Sequence, residues 1–159
     1  MNRTAACLGL LLAACASYDG RGLQPGMANE GEVRRTMGEP ALELRNPDGT
    51  RQMAYPKGPL GTQTYMAYIG RDGVLEAIRP VLNEDRFYQI HPGQDRDEVL
   101  RLIGPPSETG EFPRLRQTAW DYRFQDTWGY LAIFSVMFDE QGRVVGKVTR
   151  RLDRERRFP

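Results

Sequence analysis

The sequence predicts an α+β fold of two tandem repeats, each one or two short helices followed by an antiparallel three-stranded meander. Self-similarity at a period of about 66 residues carries this reading, together with a doubly marked helix in the second copy and strand-like alternation after it. The helix is Asp95 to Pro106. Asp95 suits an N-cap, Glu98 stands where a capping-box partner belongs, and Gly104 followed by Pro105-Pro106 ends the turn. Val99, Leu102 and Ile103 share one face at the i, i+3, i+4 spacing.

The first copy repeats the pattern more faintly. Asn29, Glu32, Val33, Met37, Gly38 and Pro40 match Asp95, Glu98, Val99, Ile103, Gly104 and Pro106, all at an offset of 66. A Pro-Gly turn precedes each cap, at Pro25-Gly26 and Pro92-Gly93. Downstream, Arg51 to Tyr55 aligns with Arg116 to Trp120, Tyr65 to Ile69 with Phe134 to Phe138, and Asp72-Gly73 with Gln141-Gly142. Trp120, Tyr122 and Phe124 alternate with Ala119, Asp121 and Arg123, the two-residue period of a half-buried strand. The Asp-Gly and Gln-Gly pairs supply the positive φ of tight hairpins. Asn83 to Ile90 is expected to add a short first helix to the second copy. Neither half buries much surface alone, so the two are expected to pack as one body.

The N-terminus has a signal-peptide layout: Arg3, then an apolar run from Ala5 to Leu12 that is too short to span a bilayer. It ends in Leu12-Ala13-Ala14-Cys15, which resembles the bacterial lipobox. That resemblance implies cleavage before Cys15, lipid on its thiol and, with Ala16 rather than aspartate next, sorting to the outer membrane. The expected organisation is residues 1–14 signal peptide, 15–22 tether, 23–80 first repeat, 83–150 second repeat and 151–159 charged tail. Loss of Cys7 with the signal would leave no thiol for a disulfide, nucleophile or metal.

Composition excludes several classes. Lys+Arg number 22 against 21 Asp+Glu, and removing Arg3 balances them, so a general affinity for nucleic acid is not expected. One histidine, His91, and no remaining thiol argue against a metal site. No phosphate loop or nucleophile elbow appears, and Asp95 and Asp97 are explained by the helix start. The expectation is a non-enzyme with no cofactor and no small-molecule substrate.

Pro-Gly, a polar cap, Gly-x-Pro at the helix end, Trp120-Asp121-Tyr122 and Phe138 to Val144 together resemble the SmpA/OmlA (BamE-like) family of outer-membrane lipoproteins. The resemblance covers about residues 83–150, and the duplication departs from it. It implies a periplasm-facing, lipid-anchored binding or scaffolding module with a protein partner, serving outer-membrane protein assembly or envelope integrity. The tandem arrangement also resembles the β-lactamase inhibitor protein fold, which implies the alternative of an inhibitor or regulator of a periplasmic enzyme.

Candidate partner contacts are Tyr55 and Lys57 in the proline-stiffened stretch Tyr55 to Gly61, and Trp128 and Tyr130 in Asp126 to Tyr130. The basic C-terminus (Lys147, Arg150, Arg151, Arg154, Arg156, Arg157) is a further candidate, for an anionic surface.

Overall fold

The computed structural model describes residues 19–58 and 60–152. Cys15, the signal segment and the basic residues Arg154, Arg156 and Arg157 lie outside them. In each half a helix precedes a four-stranded antiparallel meander. Helix α1 (Glu30–Met37) leads into β1 (Leu42–Arg45), β2 (Arg51–Pro56), β3 (Thr64–Ile69) and β4 (Leu75–Pro80). Then α2 (Glu84–Tyr88) and α3 (Arg96–Ile103) lead into β5 (Glu108–Phe112), β6 (Gln117–Gln125), β7 (Leu131–Phe138) and β8 (Val144–Arg151). The sheets run β1-β2-β3-β4 and β5-β6-β7-β8.

Both capping boxes are present. Asn29 accepts from the Glu32 N–H and Asp95 from the Glu98 N–H, while each glutamate reaches back to its cap's N–H. Each box satisfies two orphan donors, and an N-cap side chain contributes about 1 kcal/mol. Gly38 and Gly104 end the helices with φ of 86° and 76° and ψ of −167°, a region only glycine occupies without strain. The Pro-Gly turns have a further task. Gly26 N–H donates to Leu75 O and Gly93 N–H to Val144 O, both at 2.8 Å, so each turn is stitched to the last strand of its own repeat.

The first strand of each sheet, β1 and β5, comes in addition to the three expected. Leu42–Arg45 is only four residues long, and Glu108–Phe112 is polar with a central glycine, so neither carries a strong strand signal. The ladders also refine the alignment of the repeats. Tyr55 pairs with Tyr65 and Tyr122 with Phe134. Since Tyr65 matches Phe134, Tyr55 corresponds to Tyr122 and Met53 to Trp120, two positions from the pairing the sequence suggested. A slip of two leaves every side chain on its own face, so alternation alone does not detect it. Both sheets carry an irregularity at the equivalent step, Tyr68/Ile69 and Met137/Phe138.

Packing follows these faces. One face of the first sheet (Met53, Tyr55, Ala67, Ile69) covers Val33 and Met37 of α1. In the second sheet Tyr122, Phe124, Phe134, Val136 and Phe138 cover Val99 and Ile103 of α3 and Phe87 of α2, with Phe87 stacked on Phe134 at 4.0 Å. The centre of the opposite face of the first sheet is covered as well. Ala54 and Met66 are buried with Val81, and a Cβ on Gly104 would stand 3.1 Å from Thr64 Cγ2. Arg101 Nη1 donates to Asn46 Oδ1 at 2.9 Å, and Leu82 N–H to Gln63 Oε1 at 2.9 Å. The layers thus run α1, first sheet, α2 with α3, second sheet. The two halves form one body.

Candidate partner-binding surface

The best-built exposed feature is the hairpin joining β6 to β7. Gly129, at φ 80°, lets the chain reverse, with Gly129 N–H donating to Asp126 O at 2.8 Å and Asp126 N–H to Tyr130 O at 3.0 Å. Asp126 organises the turn. Its Oδ1 accepts from the N–H groups of Trp128 (3.0 Å) and Tyr130 (2.9 Å), and its Oδ2 from Arg151 Nε at 2.6 Å. Burial opposes ionisation of this carboxyl. The Tyr130 N–H, the Arg151 guanidinium and the Trp128 N–H outweigh it and hold the group below the ordinary carboxylate range. Thr127 Oγ1 donates to Glu84 Oε2 of α2 at 3.2 Å, a second fastening.

On this fixed turn Trp128 is 78% exposed and Tyr130 59%, with the Arg151 guanidinium 4.9 Å above the Tyr130 ring. A turn already held by six hydrogen bonds loses little freedom on binding, and its aromatic tips have apolar area to bury. Sequence reasoning found the aromatics but gave Asp126 no role, and it assigned Arg151 to an anionic surface rather than to this carboxylate. The available signal was an aspartate opening a five-residue turn with glycine fourth, the setting of an Asx turn.

Tyr55 is a correction. It lies in β2 rather than in a loop, is 2% exposed, and packs in the core beneath α1. Burial raises its phenol to about 12, and its hydroxyl has no hydrogen-bond partner. It is no surface contact, because the residue matches core Tyr122. Lys57 is exposed, immediately after β2. Its loop is the first-copy counterpart of the Trp128 hairpin, yet it serves the interior: Gly58, Gly61 and Gln63 line a cleft of about 270 Å³ with Pro105, Pro106 and Arg123 of the second half.

The basic C-terminus divides. Lys147 and Arg151 are committed within the molecule, Arg151 to Asp126 and Lys147 Nζ to the carbonyls of Phe87 (2.8 Å) and Ile90 (2.6 Å) at the end of α2. His91 is exposed in its turn, with its backbone N–H donating to Gln94 Oε1 at 2.7 Å. No helix among the described residues is long and apolar enough to cross a membrane, and none of them form a group of three or more acidic, histidine or cysteine side chains suited to a metal.

Residues 80–147 match the family model for the outer membrane protein assembly factor BamE domain. Among solved structures, a proposed osmotically inducible lipoprotein, OsmE, is similar at 29% identity, covering 43% of this chain and 78% of its own, with a TM-score of 0.39. A proposed β-lactamase inhibitor protein from Streptococcus mutans is similar at 11% identity (79% of this chain, 83% of that one, TM-score 0.34). So is YjgB, a DUF4309-family protein from Bacillus subtilis, at 15% identity (83% and 84%, TM-score 0.32). No curated protein matches the sequence.

Proposed function

We propose, from the BamE-type domain at residues 80–147, that this chain is a lipid-anchored outer-membrane lipoprotein whose periplasmic body serves as a binding module in outer-membrane protein assembly. The family match is the observation that carries the reading. Lipid at Cys15 would hold the body at the membrane surface and raise its effective concentration beside a membrane-bound partner. The working part would be the β6–β7 hairpin, with Trp128 and Tyr130 as contacts. No step of this role requires turnover, so it is that of a non-enzyme.

The test is an affinity pull-down of the lipidated protein from solubilised outer membranes, beside Cys15→Ser and Trp128→Ala/Tyr130→Ala variants. Recovery of the barrel-assembly machinery, reduced by both variants, supports the proposal. Recovery unchanged by the aromatic variant would remove the hairpin from the interface. Recovery of a soluble periplasmic hydrolase instead, with the Cys15→Ser protein as effective, would replace assembly with enzyme regulation.

A further inference from the structure

We propose that the cleft between the two halves binds an acidic segment of a protein partner. This cleft, of about 470 Å³, is lined by Gln52, Tyr68, Glu76, Arg79, Arg86 and Arg101 among others. Its three arginines arrive from three elements: β4, α2 and α3. Only the packing of the second half on the first sheet assembles them.

They outnumber the carboxylate that lines the cleft with them, Glu76, and among the described residues none is in an ion pair. Arg86 Nη2 donates to Tyr68 Oη at 3.4 Å, and Arg101 to Asn46 Oδ1 at 2.9 Å and to the Arg45 carbonyl at 3.4 Å, all neutral acceptors. Among the described residues none of the three has a carboxylate partner. Arg34 in the first half makes the contrast, paired with Glu30, Glu39 and Glu43 at 2.9, 2.6 and 2.6 Å. Three cations against the one carboxylate of Glu76 leave a net positive potential in the cleft, although the whole chain carries only +1.

A second feature points the same way. Gln52 Oε1 is buried with no partner, an acceptor waiting for a donor. A ligand that fits both features carries several anionic groups and an N–H. An acidic peptide offers carboxylates to the arginines, in charge-assisted pairs, and a backbone N–H to Gln52. A single oxyanion would use one or two of the cations and leave Gln52 unpaired. The inference stands apart from the hairpin contact and does not depend on it.

The experiment is a calorimetric titration of the full-length chain in non-ionic detergent with a capped peptide of alternating Asp and Glu, against its Asn/Gln counterpart. The acidic peptide should bind and weaken with added salt, while the neutral one should not. Arg79→Gln with Arg86→Gln should weaken binding about tenfold or more, since charge-assisted contacts are lost. Arg79→Gln alone alters an exposed side chain without partners, so its weakening reports binding in a chain whose fold is undisturbed. Gln52→Leu should weaken binding as well, and Trp128→Ala/Tyr130→Ala should leave it unchanged. Equal binding by the double variant, or by the neutral peptide, would overturn the proposal. So would binding of inorganic phosphate or of phosphatidylglycerol vesicles in place of the peptide.

Discussion

Two tyrosines at equivalent positions in the two repeats meet different fates. Tyr122 Oη donates to the Gly104 carbonyl at 3.2 Å, whereas the Tyr55 hydroxyl is buried without a partner. Removing an unpartnered buried polar atom relieves its desolvation cost, while removing a bonded one orphans the carbonyl it served. Tyr55→Phe is therefore expected to be neutral or stabilising, and Tyr122→Phe to cost about 1 kcal/mol, in urea unfolding curves. Burial raises both phenols, Tyr55 to about 12 from the ordinary 10. Above the unfolded-state value the unfolded chain releases phenolic protons that the native chain keeps, so stability falls as pH rises from about 10 towards 12. Tyr55→Phe should make that alkaline fall shallower. Sequence could name both tyrosines as aromatics on strands. It could not tell which was core, because Pro56 beside Tyr55 looks like the start of a loop.

At the scale of elements, the β6–β7 hairpin owes its shape to one buried carboxylate rather than to the aromatics it displays. Asp126→Ala should free the turn, seen as faster amide hydrogen exchange at Trp128 and Tyr130 and as weaker partner capture. Because the Asp126 carboxyl is held low in the folded state, its contribution is present above the ordinary carboxylate range and is lost as pH falls through the folded-state value. The helices were the most legible elements, since caps and terminal glycines sit at fixed offsets from Asn29 and Asp95. Strands were legible where aromatic and polar residues alternate, as in Gln117–Gln125, and faint where they do not, as in Glu108–Phe112. The hairpin's aromatics were readable one by one. The arginine cleft was not, because its members lie far apart in the chain and meet only through packing of one half on the other.

Across the whole molecule, the halves repeat each other but do not perform the same task. The outer face of the first sheet, with Ala54 and Met66 at its centre, receives the second half. The matching positions of the second sheet are Asp121 and Ser135, joined by a 2.6 Å hydrogen bond, and such a polar outer face is how a terminal repeat ends a stack. Gly38 and Gly104 test the junction directly. Their backbone angles match, so alanine at either incurs similar strain of about 1–3 kcal/mol. A Cβ at Gly38 meets nothing within 4 Å, whereas one at Gly104 stands against Thr64, Ala54 and Met66. Gly104→Ala should thus destabilise more than Gly38→Ala in denaturant titration, and the excess measures how tightly the halves are joined.

The stitch between the Pro-Gly turn and β4 has a mechanical consequence. Any pull arriving through the chain before Asp19 first meets Leu23, packed in the core of the first half, and then the paired bonds Gly26 N–H to Leu75 O and Leu75 N–H to Ala28 O, each 2.8 Å. Tension is passed sideways into the edge strand of the first sheet before it reaches α1. Under load, the yielding point would be this two-bond clasp, while the β6–β7 hairpin, built on the second half, would keep its form; the arginine cleft, which takes Arg79 from β4, would feel the strain.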